Sequence, residues 1–426
     1  MDICKTYTAA ASRYEAMAYP HCGRSGLRLP RVALGLWHNF GDTADYATMK
    51  ALCCTAFDHG ITYFDLANNY GPAYGSAERN FGRLMDDLFR PYRDELVIAT
   101  KAGYDMWPGP YGNWGSRKYL IASLDQSLRR MHLDYVDIFY HHRMDPEMPL
   151  EETMGALAQI VRSGKALYVG LSNYDGPTLL RAATILHEMH VPFIVNQNRY
   201  SIFDRTIEKN GLKNTSADLG LGIVAFSPLC QGLLTDRYLS GIPEDSRIHR
   251  DGRFLKEKSL TPEKLQAIRA LSNLAEERGQ TLAEMSLAWD LKDDDVTTVL
   301  IGASKPEQIL DNIKAIENTR FTAEERQEID TISLAPGVQG LVRLTCSRTQ
   351  KPLRSKMAAK RFSVSPRRSS SALDNGPRAP AGGRGTWRRR GRRQSSLRRR
   401  GCRCRARRSL RRRCSTCMSC TSCCSG

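Results

Sequence analysis

Between residues 32 and 302, eight short apolar runs alternate with stretches of helical period, and no other feature constrains the fold as much. The runs are "VALGLW" (32–37), "ITYFDLA" (61–67), "LVIATKA" (96–102), "YVDIFYHH" (135–142), "ALYVGLS" (166–172), "PFIVNQ" (192–197), "GIVAFS" (222–227) and "VTTVLIG" (296–302). Amphipathic segments such as "SRKYLIASLDQSLRRMH" (116–132) and "LEETMGALAQIVRSG" (150–164) separate them, the second closing on a C-cap glycine. Strands spaced by helices in this way pair in parallel through right-handed crossovers. Eight such units in roughly 300 residues predict an α/β chain closed into a (β/α)8 TIM barrel. A doubly wound open sheet would carry a G-x-G-x-x-G turn after its first strand. The stretch "LGLWHNFG" stands there instead.

Residues 1–31 hold the turn residues of a hairpin, "YPHCGRSGLRLP", placed to plug one end of the barrel. The stretch 228–260 is too long for an ordinary βα loop and reads as a lid or binding loop. The barrel domain is expected over 1–336, and a disordered basic C-terminal tail over 337–426. Charge divides at the same point. From Gly337 onward lie 26 of the 63 Lys and Arg residues and one of the 45 acids, which leaves 37 bases against 44 acids in the body. Any nucleic-acid function therefore belongs to the tail alone. Five scattered cysteines in the body (Cys4, Cys22, Cys53, Cys54, Cys230) show no disulfide framework and suit a reducing compartment. No run approaches the length of a membrane helix and no signal peptide opens the chain, so a cytoplasmic protein without membrane partners is expected.

In such a barrel, chemistry gathers at the C-terminal ends of the strands. Those ends supply Trp37, Asp65 with Tyr70, Lys101, His141 and His142, Ser172 with Asn173, Gln197, Phe226 with Ser227, and Gly302 with Ser304. Each has an ordinary reading: an Asp there commonly caps a helix, a Lys is solvated, a Phe is core. Adjacent strand residues face opposite ways, so the two histidines are not read as a metal pair. Together, an acid, a tyrosine, a lysine and a histidine on one rim suggest a proton-transfer device. A lysine ammonium held by a carboxylate lowers the pKa of a nearby phenol, which can then protonate a carbonyl oxygen.

"GITYFDLANNYG", "VIATKAG", "YVDIFYHHR", "YVGLSNY", "IVNQNRYS" and "IGASKPEQILDN" resemble, in order and spacing, the motifs of the aldo-keto reductase family over roughly residues 20–335. "AFSPLCQGLLT" and "GIPEDSRIHRDGRF" are most similar to its bacterial L-glyceraldehyde-3-phosphate reductase group, itself similar to the potassium-channel β-subunits. The resemblance implies Tyr70 as general acid, with Asp65 and Lys101 lowering its pKa. It implies His142 as the catalytic histidine, five residues after Asp137. NADPH is the implied cofactor. Ser172, Asn173 and Gln197 would hold the nicotinamide carboxamide beside Trp37 and Asp65, and Phe226 would stack on the ring. Ser227, Pro228, Leu229 and Gly232 would bind the cofactor, and Arg237 and Arg247 in the long loop would clamp its diphosphate or its 2′-phosphate. Gly302, Ser304 and Lys305 open a helix whose N–H groups and dipole suit the 2′-phosphate, and Gln308, Asp311 and Asn312 lie one turn on, within reach of the adenine.

The implied reaction is reduction of a small aldehyde or ketone, such as glyceraldehyde 3-phosphate or methylglyoxal, by a homo-oligomer. Two other readings stand beside it: an NADPH-binding β-subunit-like partner of a membrane protein, and a nucleic-acid binder led by its tail. The tail's Arg/Ser/Cys/Gly/Pro runs also match what a frame shift in GC-rich DNA produces. Cys414, Cys417, Cys420 and Cys423 repeat at three-residue spacing, but the folded loop that would separate two zinc-binding pairs is missing.

Overall fold

The computed structural model describes residues 7–239, 241–244, 248 and 255–339. Each apolar run contributes one strand: β1 (Val32–Gly35), β2 (Tyr63–Asp65), β3 (Val97–Ala102), β4 (Val136–His141), β5 (Ala166–Ser172), β6 (Phe193–Arg199), β7 (Gly222–Phe226) and β8 (Thr298–Ile301). Every strand pairs in parallel with the next, and β8 pairs with β1, so the expected (β/α)8 barrel is closed. The helices between them start where the sequence offers an N-cap oxygen. Asp45, Ser116, Asp175 and Thr261 each accept from the backbone N–H three residues on. Thr281 with Glu284, and Thr322 with Glu325, form full capping boxes.

Strand periodicity sorts the core into two layers. Ala33, Tyr63, Val97, Ala99, Ile138, Tyr140, Val195, Val224 and Leu300 fill the barrel interior. Their neighbours one residue away, such as Phe64, Ile98 and Phe139, face outward and pack among buried residues of the helices. The N-terminal hairpin is held by an antiparallel bridge between His21 and Arg28, and inserts Cys22 and Leu29, both fully buried, into the interior layer. Gly23 makes this approach possible. It has φ of +57°, and a Cβ there would lie 2.1 Å from the Gly220 carbonyl oxygen, just before β7. The hairpin thus closes the end of the barrel where the strands begin, and the opposite mouth is left for chemistry.

Packing continues past residue 336. Val338 is buried against the core, and Lys209 Nζ donates to Gln339 Oε1 at 3.0 Å. Among the described residues no helix is long and apolar enough to cross a membrane. Arg247, Cys4 and the Arg/Cys-rich stretch from residue 340 lie outside the described residues.

Candidate active site

Read along the interior face, β2 to β7 each lead to a polar or aromatic group at the strand end: Tyr63 then Asp65, Ala99 then Lys101, Tyr140 then His142, Gly170 then Ser172, Val195 then Gln197, Val224 then Phe226. The two-residue period therefore carries an apolar interior into a polar mouth without any change of face. It also separates the two histidines. His142 is in phase with Ile138 and Tyr140. His141 is out of phase, fully buried, and its Nδ1 lies 2.7 Å from the Tyr174 hydroxyl.

Lys101 sits at the centre, with no exposed surface. Its Nζ donates to Asp65 Oδ2 at 2.5 Å and to the Leu66 carbonyl at 2.8 Å, and lies 3.4 Å from the Tyr70 hydroxyl. Asp65, equally buried, accepts on Oδ1 from Gln197 Nε2 at 2.9 Å and from the Tyr63 hydroxyl at 3.2 Å. Tyr70 reaches the pocket because the chain turns back after β2. The Asn68 N–H donates to the Lys101 carbonyl at 2.9 Å, and the Tyr70 N–H donates to the Ala67 carbonyl at 3.0 Å. The Tyr70 ring stacks on Trp37 with centroids 5.8 Å apart and meets the His142 ring edge-on at 5.9 Å. Tyr104 stands perpendicular to His142 at 4.7 Å. The structure thus brings Asp65, Tyr70, Lys101 and His142 to one mouth.

Burial dominates the electrostatics. It holds the Tyr70 phenol well above its ordinary value, helped by the nearby Asp65 and Tyr104. This corrects the expectation that Lys101 and Asp65 lower that value in the free protein. Lys101 and Asp65 are already paired with each other, so their fields at the phenol oppose and desolvation is left to decide. Lys101 itself is held below its ordinary value by burial, against the pull of Asp65.

His142 is pushed well below 6.5 by burial, then by the Lys101, Arg143 and His141 charges, and is a neutral imidazole. The unfolded chain takes up a proton at His142 as pH falls through about 6.5, and the folded chain does not. Stability contributed by the neutral imidazole is therefore present above that pH and lost below it. A slope of about 1.4 kcal/mol per pH unit is expected from this one group. Urea titrations between pH 6.5 and 4.5 should show a shallower loss in His142→Gln than in the wild type; parallel lines would refute the assignment.

The residues expected to hold a nucleotide surround the same mouth. Ser172 is buried, and Asn173, with φ of +58°, donates from Nδ2 to the His142 carbonyl at 3.0 Å and to Ser172 Oγ at 3.1 Å. The Gln197 amide is engaged by Asp65, and Phe226 and Trp37 are half-buried. After β7 the chain passes through positive φ at Ser227, Cys230, Gln231 and Gly232, a compact turn containing buried Pro228 and half-buried Leu229. Backbone held in this sparsely populated region is commonly found beside ligands. Arg237 is exposed in a short 3-10 turn (Asp236–Tyr238).

Beyond β8, Gly302, Ser304 and Lys305 are exposed ahead of the helix Pro306–Ile313. Gln308 folds back so that its Oε1 accepts from the Ser304 N–H at 2.8 Å, and Asp311 pairs with Lys314 at 2.9 Å. Asn312 is buried, while Gln308 is half-buried and Asp311 exposed.

Strand-end reading passed over three residues near the tetrad. Tyr63 and Tyr140 lie one interior position below Asp65 and His142, and a two-residue step back along either strand finds them. Arg143 is buried beside His142, with its guanidinium over the Trp114 ring at 3.6 Å and the Tyr104 ring at 4.2 Å. No periodicity marks it, because Tyr104 and Trp114 come from a loop.

The sequence profile described as Aldo/keto reductase family matches residues 31–334. A protein of Escherichia coli O157:H7 named L-glyceraldehyde 3-phosphate reductase is 55% identical over 327 residues, which cover 76% of this chain and 94% of that protein. A protein of the same name from Escherichia coli K12 is 54% identical over 327 residues, with the same coverage. A probable voltage-gated potassium channel subunit beta of Oryza sativa subsp. japonica is 36% identical over 307 residues, 71% of this chain and 92% of that protein.

Proposed function

Because the chain belongs to the aldo/keto reductase family, and is an oxidoreductase of that kind, we propose that it reduces L-glyceraldehyde 3-phosphate with NADPH. The observation that carries the chemistry is the buried Lys101–Asp65 pair with the Tyr70 hydroxyl 3.4 Å from Nζ and His142 across the same mouth. The substrate rests on the identity to the two Escherichia coli proteins.

Tyr70, protonated at neutral pH, gives its proton to the carbonyl oxygen. Lys101 is the nearest cation to the phenolate this leaves, and Asp65 keeps that ammonium aimed at it. Neutral His142 offers one N–H to the same oxygen and orients the carbonyl. Trp37 and Tyr104 wall the pocket and exclude water from it.

The residues fit a nicotinamide nucleotide. Phe226 is half-buried at the end of β7, and Ser172 and Asn173 present a hydroxyl and an amide at the end of β5. Ser172, Asn173 and Gln197 would hold the carboxamide, and Phe226 would offer its ring to the nicotinamide. The turn Ser227–Gly232 and Arg237 would hold the diphosphate, and Ser304 and Lys305 the 2′-phosphate, with Gln308, Asp311 and Asn312 toward the adenine. When bound, NADPH supplies the hydride that reaches the carbonyl carbon.

Absorbance assays on the full chain test this reading. NADPH consumption is expected with L-glyceraldehyde 3-phosphate, at a kcat/KM about tenfold or more above that for methylglyoxal, since a charge-assisted contact to the phosphate is worth that much. NADPH binding without consumption for any aldehyde would sink the reductase reading and favour a binding role like that of the channel subunits.

A further inference from the structure

Beneath the tetrad lies a second pair of phenols that the reaction as described does not use. Tyr63 and Tyr140 are both fully buried in the barrel interior, and their hydroxyl oxygens are 2.9 Å apart. Tyr63 is also 3.2 Å from Asp65 Oδ1, the oxygen that Gln197 Nε2 reaches at 2.9 Å. The order of the protons follows from the acceptor. A carboxylate has none to give, so the Tyr63 hydrogen points to Asp65 and Tyr140 supplies the hydrogen between the two hydroxyls. The result is a chain, Tyr140 to Tyr63 to Asp65, ending on the oxygen that Lys101 leaves free.

The backbone makes room for it. Tyr140 pairs with Gly170 across β4 and β5, and a Cβ at Gly170 would stand 2.2 Å from the Tyr140 ring. Any larger residue on β5 would displace that ring. Burial raises both phenols well above their ordinary value, so each stays protonated and serves as a donor.

We propose that Tyr63 and Tyr140 are positioning residues for the reduction, acting through Asp65: the hydroxyl chain, with Gln197, holds Oδ1 and so turns Oδ2 onto Lys101. The proposal rests on the reductase reading above. Hydrogen bonds in series polarise one another, so the second hydroxyl strengthens the first. The titratable groups facing this carboxylate are Lys101 from β3, Tyr63 from β2, Tyr140 from β4 and Tyr70 from the loop after β2. His142 and Glu78 act one step further away, on Lys101.

The test is Tyr63→Phe in the full chain, which keeps the ring and removes one oxygen. The kcat for NADPH-dependent reduction is expected to fall on the order of tenfold. KM and the NADPH affinity, read by fluorescence titration, stay as in the wild type. Tyr140→Phe, which leaves the direct donor in place, gives a smaller fall in kcat, again at unchanged KM, and decides the matter should Tyr63→Phe fail to fold. A merely structural role would lower the unfolding midpoint and leave the kcat of the folded variant at the wild-type value. A wild-type kcat in both variants, or in Tyr140→Phe alone where Tyr63→Phe does not fold, overturns the proposal. The reductase reading fails by a separate sign, wild-type turnover in Tyr70→Phe.

Discussion

Tyr70→Phe is expected to lower kcat for aldehyde reduction by about 10³-fold while leaving NADPH binding unchanged. The substitution removes a single oxygen. The ring keeps its stack on Trp37 at 5.8 Å and its edge contact with His142 at 5.9 Å, so the shape of the mouth is preserved. What is lost is the hydroxyl 3.4 Å from the Lys101 ammonium. His142 cannot replace it. Its imidazole is neutral, and burial together with the Lys101 and Arg143 charges opposes the cation from which an acid would donate. The raised value of Tyr70 has a direct consequence for the same experiment. A phenol held above its ordinary value is fully loaded with its proton at neutral pH, and it releases that proton only to a strongly basic acceptor, the oxygen of a carbonyl as hydride reaches its carbon. Absorbance assays and fluorescence titration of the variant, run side by side, separate the chemical step from binding. Wild-type turnover would show that the proton comes from elsewhere.

The barrel was legible because its signal is repeated. Eight apolar runs, each with a helix after it, leave few ways to close a sheet, and single ambiguities such as the short β2 do not disturb the count. Asp65, Lys101 and His142 were legible for a related reason. Each ends a strand, and strand ends in this architecture converge. Tyr63 and Tyr140 were not, although the same period places them. Two residues earlier along a strand, an aromatic side chain in an apolar run has the composition of core, and only the Oη–Oη contact with Asp65 beyond it distinguishes them. The sign of the Tyr70 shift also lay beyond sequence reasoning. Sequence places a lysine near a phenol, but whether its charge or its desolvation prevails depends on a distance of an ångström and on Asp65 having already taken the ammonium. At the nucleotide end the spacing puts Asn312 one turn after Gln308, and how far the rotation of the helix buries each of them was not legible: Asn312 is buried and Gln308 half-buried.

Lys101→Met should be the most damaging single change to stability in the site, at about 3–5 kcal/mol, besides its effect on turnover. The side chain has no exposed surface, and its Nζ is the only cation bonded to Asp65 among the described residues. Methionine fills a similar volume, so the loss is electrostatic: a carboxylate remains in the barrel interior with the Tyr63 hydroxyl and the Gln197 amide as its remaining donors. Removing both charges together should cost less than removing one. Asp65→Asn/Lys101→Met is therefore expected to unfold at a higher denaturant concentration than Lys101→Met, with a coupling energy of about 1–3 kcal/mol between the two sites. His142 responds in the same variants. Lys101 is the second cause, after burial, of its low proton affinity, so removing that charge lifts His142 back toward its ordinary 6.5. Acid destabilisation in Lys101→Met should then be weaker than in the wild type between pH 6.5 and 4.5, because the folded state can take the proton it previously refused. If Lys101→Met proves no less stable than the double variant, the Asp65 charge is not held by Lys101, and the pairing at the centre of this site is not what keeps it assembled.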